Sequence, residues 1–322
     1  MVRSAARLVL LGACVLWVAP GWAQGYPAKP VRIVVGFSAG STTDLIGRVL
    51  AVKMGDGLGQ PVVMDNRPGA GANIAAELVA KAAPDGYTVL LANAGIATGA
   101  TAYVKLNFNA LRDFAPVSQV SATPHILVTH PSLPPTTVKE LVAFARARPG
   151  KLNFASTGHG NSDHLAAELF SFMTGLKMVH VTYKGGPLAL NDLITGQIEM
   201  YFAGVPVALP LVKAGRVRAL GVTGAKRAAV LPEVPTIAEA GVPGYQHILW
   251  GMLVVPAATL ADIVARLNRE AVRALEAADV RERYAGMGVD PAPSTPERAA
   301  AYLRSETEKY AKVVKAIGLR IE

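Results

Sequence analysis

Val31-Arg32-Ile33-Val34-Val35-Gly36-Phe37-Ser38-Ala39-Gly40-Ser41-Thr42-Thr43-Asp44 is the stretch on which the reading of the chain turns. Its first five residues, four of them β-branched, predict a short buried strand. A turn of small residues follows, and then Leu45, Ile46, Val49 and Leu50 recur at the period of an amphipathic helix. Ser41 or Thr42 is placed to cap that helix, and Asp44 falls in its first turn, where a carboxylate suits the helix dipole. A strand, tight loop and helix in this order aim backbone N–H groups and hydroxyls at one point, which attracts anions. The same residues also suit a plain capped β–α junction with no ligand.

Upstream, Arg3 and Arg7 precede an apolar run from Leu8 to Val18, and Gly21-Trp22-Ala23 is a small-x-small cleavage site. This is the pattern of an export signal, so residues 1–23 are expected to be removed. Leu11-Gly12-Ala13-Cys14 loosely matches a lipid-attachment signal, but apolar residues continue straight past Cys14 and argue against it. Cleavage after Ala23 removes the chain's one cysteine, which excludes disulfides and a thiol nucleophile. The mature chain of about 300 residues suits two domains. Its charge of +9 before cleavage is spread without a basic run or aromatic interleaving. That pattern speaks against nucleic acid and for a small anionic partner.

Strands and helices then alternate almost throughout, which predicts parallel sheets covered by helices. Pro61–Met64 and Tyr87–Leu91 read as strands ending at Asp65–Gly71 and Asn93-Ala94-Gly95, with a helix from Ala72 to Ala83 between them. Phe114–Thr129 contains two apolar runs broken near Ala122-Thr123-Pro124, as expected of a crossing between domains. Thr137–Glu140 fits a capping box. Leu152–Ser156, Met178–Tyr183 and Ile198–Phe202 are strands leading to Thr157–Ser162, Lys184–Pro187 and Ala203–Pro206. Val217–Val222 carries the chain back, Ala225–Tyr245 is irregular, Leu249–Val255 is the last strand, and Leu260–Glu276 and Pro296–Ile317 are helices. The expected architecture is α/β with two lobes: lobe I from 24–122 and 223–322, lobe II from 123–222. Ligands of open α/β sheets sit beyond the carboxyl ends of the strands. Two such edges face each other across a cleft, with Phe37–Asp44 on one side and Ser156–His164 on the other.

Several local runs together are specific. They include Tyr26-Pro27, Lys29-Pro30-Val31-Arg32-Ile33-Val34-Val35, Asn66-Arg67-Pro68-Gly69-Ala70-Gly71-Ala72-Asn73-Ile74 and Ala83-Pro84-Asp85-Gly86-Tyr87-Thr88. Arg112–Val117, Arg148–Phe154, Val179–Gly185 and Leu231–Thr236 follow in order. The set resembles the Bug-type (TctC-like) periplasmic solute receptors of tripartite tricarboxylate transporters. That resemblance implies a two-lobed, type II-like periplasmic binding fold, each lobe a mostly parallel sheet flanked by helices. It implies a monomer that closes over a small organic carboxylate (a dicarboxylate, acidic amino acid, citrate-like or aromatic acid) and delivers it to membrane subunits, without cofactor or catalysis. By resemblance the first loop and the loop before the second-lobe helix share one ligand carboxylate, often through water and backbone N–H groups. The candidate site residues are Phe37, Ser38, Ser41, Thr42, Thr43, Asp44 and Asn93 from lobe I. From lobe II they are Ser156, Thr157, His159, Asn161, His164, Tyr183 and Gly204. The family usually reads Phe-Pro-Pro-Gly-Gly where this chain has Phe37-Ser38-Ala39-Gly40-Ser41, and a small or polar residue where it has His159.

Each candidate also has a plainer reading. Ser156, Thr157 and Asn161 suit helix capping as well as a carboxylate, and His164 suits packing between lobes. Arg67 looks like a carboxylate clamp but fits a structural loop role. No metal site emerges, since His159, Asp163 and His164 are explained by a helix N-terminus. Gly36-Phe37-Ser38-Ala39-Gly40 matches the nucleophile elbow of α/β-hydrolases, with Asp262 and His247 as conceivable partners. An elbow on the first strand, however, has no earlier strand to supply its oxyanion loop. A dinucleotide-binding oxidoreductase lacks its Gly-x-Gly-x-x-Gly.

Overall fold

The computed structural model describes residues 25–321, so the export signal, its cleavage site and Cys14 lie outside the described residues. The chain enters through β1 (Val31–Val35), α1 (Thr42–Leu58), β2 (Val62–Asn66), α2 (Asn73–Ala80), β3 (Thr88–Ala92), α3 (Ala94–Ala102) and β4 (Phe114–Thr129). It continues through α4 (Val138–Arg146), β5 (Asn153–Ser156), α5 (Ser162–Thr174), β6 (Val179–Thr182), α6 (Gly186–Ile194), β7 (Met200–Gly204), α7 (Val205–Lys213) and β8 (Arg218–Val222). It ends with β9 (Ile248–Pro256), α8 (Ala261–Glu276), α9 (Ala278–Gly286), β10 (Asp290–Pro291) and α10 (Pro296–Ile317). No helix among the described residues is long and apolar enough to cross a membrane.

β1 is the strand its residues predict, with Val31, Ile33, Val34 and Val35 fully buried. Ser41 caps α1 by accepting from Asp44 N, and Gly59 closes its far end in the left-handed region at φ 70°. The strands lie in the order β2-β1-β3-β9-β4-β7-β5-β6, and β8 and β10 both pair with β4. Both ends are parallel, β2-β1-β3 in one half and β7-β5-β6 in the other. The middle is antiparallel, because β9 and β4 run against their neighbours on both sides. The α/β class holds, with parallel outer halves and an antiparallel join.

β4 is that join. Its stretch Phe114–Pro124 pairs with β9, while His125–Thr129 pairs with β7 and β8. The expected break at Ala122-Thr123-Pro124 is thus a change of partner within one extended strand. Each half buries a layer on either face of its sheet. In lobe I, one layer packs β1 against α1, α8 and α9, and the other packs α2, α3 and α10 around Trp250. In lobe II, α6 and α7 cover one face and α4 and α5 the other.

The second crossing falls later than the sequence boundary at 223. Ala228, Leu231 and Val234 pack into one layer of lobe II, and Ile237, Val242 and Tyr245 into the other. Tyr245 Oη donates to Ala166 O at 2.8 Å, tying the segment to α5. The irregular stretch is therefore a wrap around lobe II, because its widely spaced apolar residues find buried seats there. The chain returns to lobe I only at β9. α9 was not legible as a separate helix, since the charges of Ala278–Gly286 hide the two residues it buries, Val280 and Tyr284. At Thr137 the cap is real, but Glu140 reaches back to Thr136 N at 2.7 Å rather than to the cap residue's own amide.

Candidate functional site

Five helices begin at one small cavity. α1 brings Ser41, Thr42 and Thr43; α3 brings its cap Asn93; α5 brings Ser162 and Asp163; α6 brings Gly186; and α7 brings its cap Gly204. Phe37, His125, Thr157, Tyr201 and Leu249 complete the lining of about 30 Å³. Every one of these helices follows a strand or loop of the sheet's carboxyl edge, which is why their N-termini converge. The leading N–H groups of a helix have no partner inside it, and the summed dipole places roughly half a positive charge at each start. The lining contains no Lys or Arg, so what it offers an anion is backbone amides, hydroxyls and dipoles.

The β1–α1 loop is braced from beneath. Asp44 is fully buried and accepts from Gly40 N at 2.8 Å, Arg48 Nε at 2.8 Å and Asn66 Nδ2 at 3.0 Å. Burial pulls its carboxyl upward, but the bonds from Arg48, Gly40 and Asn66 outweigh that and hold it below the usual carboxylate range. Asn66 also donates to Phe37 O at 3.0 Å, so one pair of side chains fixes both ends of the loop. Arg67 pairs with Asp65 at 2.9 Å, the structural role its context predicts.

In lobe II, Asp163 does the equivalent work inside the lining. Its Oδ2 accepts from Thr157 N at 2.7 Å and Tyr201 Oη at 3.1 Å, and its Oδ1 from His164 N at 2.9 Å. Burial pushes this carboxyl up, and the hydrogen bonds counter it only in part. Asn161 holds the loop by donating to Thr157 O at 3.0 Å. Thr157 lines the cavity, and its hydroxyl lies beside Asp163 and 3.5 Å from Asn161 Nδ2. His125 comes from β4 at the point where it changes lobes. Burial lowers its pKa to about 3, so it is a neutral imidazole, and its buried Nδ1 has no partner.

Of the residues picked from sequence, Phe37, Ser41, Thr42, Thr43, Asn93, Thr157 and Gly204 line the cavity. Ser38 sits at the contact between lobes, its buried Oγ pressed against Gly185. Asp44 is the brace described above. Asn161 turns toward lobe I, where its Oδ1 approaches Gly95. Ser156 bonds His180 Nε2 at 2.5 Å, and Tyr183 donates to Asp192 at 2.7 Å, both outside the lining. His159 and His164 pack on the opposite face of the β5–α5 unit, against His180. Their position follows from the strand period, because His180 pairs with Phe154 and shares its side of the sheet. The list of candidates missed His125, Ser162, Asp163, Gly186, Tyr201 and Leu249. His125 had a legible signal: it is a polar residue in an apolar run, next to the predicted crossing.

The lobes touch closely. Ser38 N donates to Lys184 O at 3.3 Å, Thr98 Oγ1 to Gly160 O at 2.9 Å and Tyr103 Oη to His159 O at 3.1 Å. The lobes are in contact across the cleft, with about 30 Å³ left between them.

The hydrolase reading fails here. Ser38 Oγ has no hydrogen-bond partner, and His247 Nε2 is engaged with Ser162 Oγ at 3.0 Å. Ser38 and His247 therefore do not form the nucleophile–base pair that reading needs.

Fold and site together define a two-lobed α/β protein with a cleft between the lobes whose lining carries neither Lys nor Arg. Residues 46–319 match the family described as "Tripartite tricarboxylate transporter family receptor", and the chain belongs to it. It is 36% identical over 324 residues to Protein BugT of Bordetella pertussis, covering 100% of this chain and 99% of that one. A protein of Pseudomonas sp. strain P51 from the tcbD-tcbE intergenic region is 39% identical over 292 residues, 90% of this chain and 87% of its own. Among solved structures, an R. palustris protein with adipate superposes at a TM-score of 0.89 with 36% identity, covering 92% of this chain and 99% of its own. MatC from Rhodopseudomonas palustris with bound malate gives a TM-score of 0.86 with 32% identity, covering 90% and 100%. The chain is a solute receptor by family.

Thr157 carries a direct prediction. Thr157→Ala removes a hydroxyl from the lining while leaving its backbone bonds to Asp163 and Asn161 in place. Loss of one hydrogen bond to a charged ligand costs about 1.5 kcal/mol or more, roughly tenfold in Kd. A titration showing unchanged affinity in the folded variant removes the hydroxyl from the site.

Proposed function

We propose that the protein captures a small organic carboxylate in this cleft, in the periplasm, and passes it unchanged to the membrane subunits of a transporter. The observation that carries the reading is the meeting of five helix N-termini at a lining without Lys or Arg. Such a site holds a carboxylate through oriented amides and hydroxyls. Lobe I supplies Ser41, Thr42 and Thr43, and lobe II supplies Ser162 and Thr157, so one carboxylate bridges the halves and favours closure. His125 and Tyr201 stand behind them, where the remainder of the ligand is read. The relatives with adipate and with malate make dicarboxylates the first class to try. The protein is expected to act as a monomer.

The test is a thermal-shift screen over dicarboxylates, acidic amino acids, citrate-like and aromatic acids, followed by calorimetry on the best. Saturation at about 100 times Kd stabilises by roughly 2.7 kcal/mol, a readily measured shift. Consumption of the carboxylate by the protein, or preference for a cationic ligand, overturns the receptor reading.

A further inference from the structure

Outside the cleft lining, three imidazoles from three separate segments meet. His159 comes from the loop before α5, His164 from the first turn of α5 and His180 from β6. One ring nitrogen of each lies within 4.8 Å of those of the other two. His164 and His180 are stacked at 4.0 Å, and His159 stands edge-on to both, at 5.7 Å and 4.7 Å. Sequence spacing could not show this cluster, because β6 supplies its third member through parallel pairing with β5.

We propose that His159, His164 and His180 form a binding site for a divalent late transition-metal ion, of which zinc is the type. Imidazole nitrogens suit such ions, and zinc sets its ligand nitrogens at 2.0–2.1 Å, hence about 3.4 Å apart. The ring nitrogens must therefore draw together by up to about 1.4 Å, the stacked pair tilting so that its lone pairs converge. His159 is the ligand able to follow. It is exposed and sits between Gly158 and Gly160, both at positive φ, 134° and 73°.

Two of the rings are already held as metal ligands are held, by a partner on the other nitrogen. His180 Nε2 meets Ser156 Oγ at 2.5 Å, and with Nε2 as the donor its Nδ1 offers the lone pair. His164 Nδ1 accepts from Gly160 N at 3.1 Å, so its proton is on Nε2, which faces Glu168 Oε1 at 3.5 Å. A metal taking His164 Nδ1 displaces only that loop amide and keeps the carboxylate–imidazole pair that orients the ring. Glu168 is thus a positioning residue.

The test is zinc titration of the untagged, chelator-treated protein by calorimetry, with nickel as a second probe. One saturable ion per chain is expected. His159→Ala and His180→Ala should each weaken zinc at least tenfold, and Glu168→Gln by a similar factor through ring orientation. His130→Ala, whose ring lies outside the cluster beside Ser132, should bind as the parent does. His159→Ala alters an exposed side chain, so the folded state survives it and the site stays testable if His164 or His180 variants misfold. Absence of saturable zinc binding, or binding undiminished in His159→Ala, overturns the site.

Discussion

Gly204→Ala is expected to weaken carboxylate binding by about 5- to 150-fold while leaving the unliganded protein as stable as the parent. Gly204 ends β7, caps α7 and faces Thr42 of α1 across the cleft. A Cβ placed there runs into Thr42 Oγ1 and comes within 2.9 Å of both Thr42 Cβ and Cγ2. No rotamer of Thr42 clears all three, so the lobes cannot reach the closed contact. Its backbone, at φ −63° and ψ 138°, suits alanine, so the substitution adds no strain within lobe II itself. Overpacking of a tight contact costs about 1–3 kcal/mol, and the upper end corresponds to roughly 150-fold in Kd. Because the clash exists only when the lobes meet, it acts on the closed state alone. Calorimetry gives the affinity, and small-angle scattering with and without ligand gives the closure. A variant that binds and compacts like the parent shows that closure does not run through the Thr42–Gly204 contact. Gly185→Ala makes a milder comparison, since the Ser38 Oγ it meets can rotate away while Ser38 Cβ, at 3.0 Å, remains.

Glycine at 204 is legible in the sequence only as part of a loop, and the same limit explains most of what the residues did not reveal. Local pattern was enough where one segment carries its own signal. The β-branched run of β1, the Ser41 cap, the Thr295 cap of α10 and the loops at strand ends all do so. That reached half of the residues lining the cavity, because those residues sit where a strand hands over to a helix. What it could not reach depends on pairing across the chain. His159 and His164 looked like cleft residues because they neighbour Thr157 and Ser162. Only the strand phase of β5 and β6 puts them on the other face, beside His180. His125 and Tyr201 enter the cavity from strands β4 and β7, which pair with each other at His125 and Gly204. The wrap of 228–245 around lobe II is likewise a tertiary choice, made by six scattered apolar side chains rather than by any period.

Asp44→Ala is expected to destabilise the protein by about 3 kcal/mol at neutral pH and to weaken ligand binding with it. The sequence places Asp44 in the first turn of a helix, where an acidic residue favours the dipole by a few tenths of a kcal/mol. The structure gives it more to do. Its removal strips the Gly40 amide, the Asn66 amide and the Arg48 guanidinium of their shared acceptor. The Arg48 contact contributes modestly, since that side chain is half exposed and screened by solvent. The larger loss is the two amides left in the interior, each hydrogen bond to a carboxylate being worth about 1.5–3 kcal/mol. The same bonds shape the turn from Phe37 to Thr43, so the anion loop loosens as stability falls. The pH dependence has a definite sign. The folded-state pKa of Asp44 lies below its ordinary value, so its contribution is present in full above that ordinary value and is lost as pH falls through the folded one. Urea melts of parent and variant should therefore differ most near neutrality and draw together in acid, below about pH 4. A difference that stays constant into acid would show that Asp44 acts through shape rather than charge. A variant with parental stability at pH 7 would remove the brace altogether, and the first-lobe loop would then owe its form to Asn66 and the Ser41 cap.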